Sequence, residues 1–174
     1  MSRSFKNFRN PLPPALIPEP PREDVDMAPI RVLTLPAPKA TALLVGMTRR
    51  LTLGWGDFYN EQWIAIHSAE GIAPEEAKWF EENRELFRPY GFVQLFDFTR
   101  GAVLCLVQLS RVWQIRARIH NEDAFGPYEF GRWIWDFSGC RRFSEPYRLR
   151  KSRFGLWHGY LPRDLLRGAG DVEP

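Results

Sequence analysis

Gly101-Ala102-Val103-Leu104-Cys105-Leu106-Val107-Gln108-Leu109-Ser110-Arg111-Val112-Trp113-Gln114-Ile115 is the stretch on which the fold turns. It is a long apolar run and reads as one extended strand, which Arg116 through Ile119 either lengthen or follow with another. Downstream, Asn121-Glu122-Asp123-Ala124-Phe125-Gly126-Pro127 has the turn chemistry of a loop. Arg132-Trp133-Ile134-Trp135-Asp136-Phe137 alternates strictly in its aromatics, as a half-buried strand does. Trp133 and Trp135 share one face of it, expected to be the core face, and Ile134 and Asp136 share the other. Short strands at Arg141-Arg142-Phe143 and Phe154-Gly155-Leu156-Trp157 are expected to close the sheet, and Leu161 to Arg167 to add a helical turn.

Upstream, the clearest helix runs from about Pro74 to Phe87. Pro74 stands at its start, Glu75 and Glu76 suit the positive helix N-terminus, and Ala73, Ala77, Phe80 and Phe87 make an apolar stripe. Trp63-Ile64-Ala65-Ile66-His67 and Arg50-Leu51-Thr52-Leu53 read as short strands. Before them, Pro38 opens a short helix through Val45 that Gly46 closes, and Ile30 through Leu35 form a first strand stopped by Pro36. Helices inserted early in a mostly antiparallel sheet point to a small α+β barrel with flanking helices. Residues 1–29 carry Pro11, Pro13, Pro14, Pro18, Pro20, Pro21 and Pro29, which favour a disordered or extended arm. The expected organisation is therefore an arm over 1–29, one domain over 30–168 and a tail over 169–174.

At 174 residues, with 44% hydrophobic and 14% aromatic content, the chain suits one domain whose core few large side chains can fill. Cys105 and Cys140 give neither metal-ligand spacing nor a disulfide framework, and Cys105 reads as a small buried hydrophobe. His120 and His158 have no second ligand at metal spacing, so neither metal nor cofactor is expected. No signal-like segment follows the early basic residues, and no apolar run approaches the roughly 20 residues of a membrane helix. A cytoplasmic location and no membrane partner are the expectations. The formal charge is only +3, but basic residues gather from Arg141 onward while Glu75, Glu76, Glu81, Glu82 and Glu85 make one segment acidic. Such polarity suits one face turned to an anionic partner.

The ordered motifs resemble an ASCH domain of the PUA-like superfamily over roughly Ile30 to Trp157. Leu33-Thr34-Leu35, Pro38, Ala40, Leu43-Leu44 and Gly46 resemble the family's opening; Trp55 and Ile66-His67-Ser68-Ala69 follow. Thr99-Arg100-Gly101-Ala102-Val103 is similar to the start of the family's central strand. Glu122, Phe125-Gly126, Tyr128, Gly131-Arg132 and Trp135, then Glu145-Pro146 and Gly155-Leu156-Trp157, complete the likeness. The resemblance implies a PUA-like barrel with a ligand cleft, bordered by Trp55. Family members carry Lys, Glu and Arg where this chain has Thr48, Leu51 and Leu53, and their usual Trp is Lys39. Some relatives hydrolyse acetylated cytidine or RNA with such groups, so the resemblance implies that this chain has lost the obvious catalytic set.

The candidate site residues are Lys39, Arg49, Trp55, His67, Glu122, Arg148, Arg150, Lys151 and Arg153. His67 ends an apolar strand, where it can meet a base or phosphate or simply bond the backbone. Glu122 is an accessible loop carboxylate or a loop cap, and Lys39, Arg49 and Glu122 are the groups that would have to converge for catalysis to survive. Tyr147 through Phe154 interleaves Arg148, Arg150, Lys151 and Arg153 with aromatics, a composition that fits phosphate contact and base stacking. The expected function is non-catalytic binding of nucleic acid, RNA before single-stranded DNA, or of a nucleotide. The alternatives are a protein-interaction module docking through residues 1–29 and a hydrolase of a modified nucleoside or RNA.

Overall fold

The computed structural model describes residues 26–56, 62–117, 124–149, 152–168 and 170–171. In chain order these form β1 (Met27–Leu35), α1 (Ala37–Leu44), β2 (Arg50–Leu53), β3 (Gln62–Ser68), α2 (Pro74–Glu82), α3 (Arg84–Phe87), β4 (Ala102–Gln114), β5 (Trp133–Tyr147), β6 (Gly155–Pro162), α4 (Arg163–Gly168) and β7 (Gly170–Asp171). The strands make one sheet in the order β2-β5-β4-β3-β1-β6, with β7 added against β5. Only β1 and β3 run parallel; every other ladder is antiparallel.

The sheet is covered on both sides, which is why its central strands are apolar on both faces. On one face Leu33, Leu35, Ile64, Ile66, Cys105, Val107 and Trp135 pack with Ala40 and Leu43 of α1 and with Phe80 and Phe87. On the other, Val32, Ala65, Val103, Leu106 and Trp157 pack with Leu161 and with Leu165 and Leu166 of α4. Phe80, Phe87 and Phe98 meet edge to face with centroids 5.0 to 5.5 Å apart, tying α2 and α3 to the segment before β4.

The fold is α+β, but the sheet is open where a closed barrel was expected. β2 and β6 are its two edges, and among the described residues no ladder joins them. β2 has only four residues and pairs with β5 alone, so the β2 edge is a short one. The sheet still curls until one corner of each edge meets: Trp55 Cζ2 lies 3.7 Å from where a Cβ on Gly155 would stand.

Four element boundaries also differ from the sequence reading. β1 begins at Met27, inside the proline-rich segment; Pro29 is tolerated because the second neighbour, β3, joins β1 only at Arg31. The long helix breaks at Asn83, whose side-chain amide donates to Trp79 O at 2.8 Å and whose backbone leaves helical values. The strands expected at 132–137 and 141–143 are one: Gly139 pairs with Gln108 and Phe137 with Leu109, the ladder shifting register past Ser138 without ending. Gly170 and Asp171, assigned to the tail, pair with Arg142 and Arg141.

Candidate nucleic-acid interface

The parallel pairing of β1 and β3 puts the carboxyl ends of both strands together. Antiparallel β4 and β6 begin at that same end, and β5 finishes there, with Tyr147 opposite Val103. Thr34, His67, Glu70, Arg148 and Arg153, distant in sequence, therefore share one rim of the sheet. A cleft of about 480 Å³ opens there, lined by Thr34, His67, Glu70, Ile72, Arg153 and Phe154 among others.

His67 forms the floor and is buried. Trp157 Nε1–H donates to Thr34 Oγ1 at 3.0 Å, and Thr34 Oγ1 lies 3.3 Å from His67 Nδ1. An indole can only donate, so Thr34 accepts from it and has its own proton to give to Nδ1. Burial lowers the His67 pKa below the usual histidine value, and the Glu70 carboxylate opposes that shift. The result is a neutral imidazole at the cleft, a group that can hydrogen-bond a ligand without bringing a charge. Beside it the Ser68 hydroxyl is buried without a partner among the described residues.

Around this floor stand cations and exposed rings. Phe154 is 92% exposed and Trp55 40%, both adjoining the start of β6. Trp55 is positioned from below: Trp135 Nε1–H donates to its carbonyl at 3.3 Å and the two rings meet edge-on at 5.1 Å. On the opposite side, Gly101 at φ +65° runs between Arg148 and Glu70; its missing Cβ would sit 3.6 Å from Arg148 Nη1 and 3.7 Å from Glu70 Cγ. Arg148 and Arg153 are both exposed. The rim thus offers two guanidiniums, two accessible aromatic faces and one neutral imidazole, a set able to hold a phosphate and stack a base.

His67 and Arg153 line this cleft, and Arg148, near Gly101 and Glu70, and Trp55, near Gly155, stand at its edges. Lys39 and Arg49 are not. Lys39 Nζ pairs with Glu76 Oε1 at 3.2 Å and lies 5.4 Å from the centre of the Trp79 ring, bridging α1 to α2. Arg49, just before β2, lines a separate cavity with Cys140. Convergence of Lys39 with Arg49 in one cleft is therefore absent. Glu122, Arg150 and Lys151 lie outside the described residues. The Thr48 hydroxyl closes a local turn, donating to Arg50 O at 2.7 Å and accepting from Arg50 N at 3.0 Å, while Leu51 is core.

Thr34, Glu70 and Trp157 escaped the sequence reading as site residues. Their only local signal is a polar or aromatic residue at a strand end; the pairing of β1 with both β3 and β6 makes them neighbours of His67. Among the described residues no helix is long and apolar enough to cross a membrane, and no cluster of three His, Cys, Asp or Glu could hold a metal. The chain matches no protein-family model and no curated protein.

Proposed function

We propose that this chain is a non-catalytic, ASCH-like reader of nucleic acid, with RNA favoured over single-stranded DNA or a free nucleotide, and that its ligand occupies the cleft over His67. The observation that carries the reading is the cleft in which Arg153 and the exposed Phe154 stand with neutral His67, while Arg148 beside Glu70 and Trp55 beside Gly155 lie at its edges. Cations that neutralise phosphate supply affinity, and exposed rings stack bases with little regard to sequence. The cleft volume of about 480 Å³ is of the size that takes one small ligand or one unstacked nucleotide. Thr48 and Leu51, engaged in a turn and in the core, support binding rather than hydrolysis.

Fluorescence anisotropy of labelled single-stranded RNA, single-stranded DNA and duplex DNA, at two salt concentrations, tests the reading. Salt-sensitive binding that prefers RNA and is weakened by Arg148→Ala/Arg153→Ala is expected. Absence of binding to all three at low salt, or affinity unaffected by the double variant, overturns it.

A further inference from the structure

A second constellation lies on the helix-covered face, away from the cleft. Val107 pairs with Cys140 and Cys105 with Arg142, so the two thiols are diagonal neighbours across β4 and β5. Cys105 is sealed in the core, whereas Cys140 is half-buried and lines a cavity of about 280 Å³ with Val45, Thr48, Arg49, Tyr90 and Phe137. The cavity wall contains no carboxylate, and among the described residues neither Arg49 nor Arg142 is paired with one. We propose that Cys140 is a peroxide-reactive thiol, with a second thiol behind it and two guanidiniums beside it.

Every element packed on Cys140 contributes to its chemistry. Hydrogen bonding with Cys105 on β4, together with Arg142 on β5 and Arg49 before β2, lowers the Cys140 pKa against the opposing effect of burial. The same bond, and burial after it, push the Cys105 thiol well up. Tyr90 is the remaining polar ring on the cavity wall. The thiolate is the nucleophile in this chemistry, and a cation-flanked, partly accessible setting is what favours it. In the reaction the Cys140 thiolate attacks hydrogen peroxide; an S–O bond forms as the O–O bond breaks. Hydroxide leaves and takes a proton from solvent, and sulfur is oxidised by two electrons as peroxide is reduced by two. The product is a sulfenic acid.

The full chain treated with hydrogen peroxide and dimedone near neutral pH, followed by peptide mass mapping, tests this. The expected adduct is on Cys140, absent in Cys140→Ser and formed severalfold more slowly in Arg49→Gln, an exposed substitution that leaves the core intact. The pH midpoint of Cys140 alkylation by iodoacetamide should fall below the roughly 8.5 of free cysteine and rise in Arg49→Gln. An adduct on Cys105 in place of Cys140, a midpoint at or above that of free cysteine, or no response to Arg49→Gln overturns the proposal.

Discussion

Trp157 and Thr34 are joined on one face of neighbouring strands, the indole N–H giving its hydrogen bond to the threonine hydroxyl at 3.0 Å. Trp157 is nearly buried, so its N–H has no ready substitute in water. Thr34→Val keeps the shape and removes the acceptor. It should cost about 1–3 kcal/mol, the penalty of a buried donor left unsatisfied. Urea unfolding measures it, and Thr34→Ser should recover most of the loss. Equal stability of the valine variant would show that the bond is not made in solution.

His67 makes stability fall on the acid side. Its folded pKa is lowered, chiefly by burial, so the unfolded chain binds the proton first as pH drops. The contribution is fully present above the unfolded value of about 6.5 and declines as pH falls from there toward the folded pKa. His158, also lowered by burial and then by Arg31, acts in the same direction. Urea midpoints at acid and neutral pH should therefore converge in part in His67→Gln. An unchanged gap would mean that His67 titrates normally in the folded protein.

Gly56 holds the Trp55 corner by having no side chain. A Cβ there would stand 2.6 to 2.7 Å from the inner ring atoms of Trp133, which cannot swing aside as a flexible tip would. Gly56→Ala should cost about 1–3 kcal/mol through overpacking. It should also weaken oligonucleotide binding by moving Trp55, whereas Gly54→Ala, with open space around it, should do neither. Thermal melts and anisotropy on both variants decide the matter.

Arg148 and Arg153 should act on salt dependence before they act on selectivity. Each phosphate contact to a single strand contributes about 0.7 to the slope of log affinity against log salt, so the double alanine variant should flatten it by roughly 1.4. A lower affinity with an unaltered slope would assign these arginines to packing or base contact.

β2, β3 and β4 were legible because strand signals are local. Arg50–Leu53 needed only its own alternation, and β4 its unbroken apolar run. The helix break at Asn83 was not legible, since a side-chain amide competing for Trp79 O looks like an ordinary polar helix residue. β5 was read as two strands, and it is pairing with the long β4, through Gly139 opposite Gln108, that joins them.

His67 shows where local reading ends. Its place at the tip of an apolar strand is written in residues 63–67, and the burial that keeps it neutral follows from strand period two in a sheet covered on both faces. That Thr34, Glu70, Arg148 and Arg153 stand around it depends on β1 choosing β3 and β6 as neighbours. The same choice sends Lys39 to Glu76 and Arg49 to Cys140, although the four cations look alike along the chain. Alternation and turn chemistry act over a few residues and determined the elements. Strand order is the outcome of burying both faces of a seven-stranded sheet at once, a global packing free energy, and only the tertiary structure decided it.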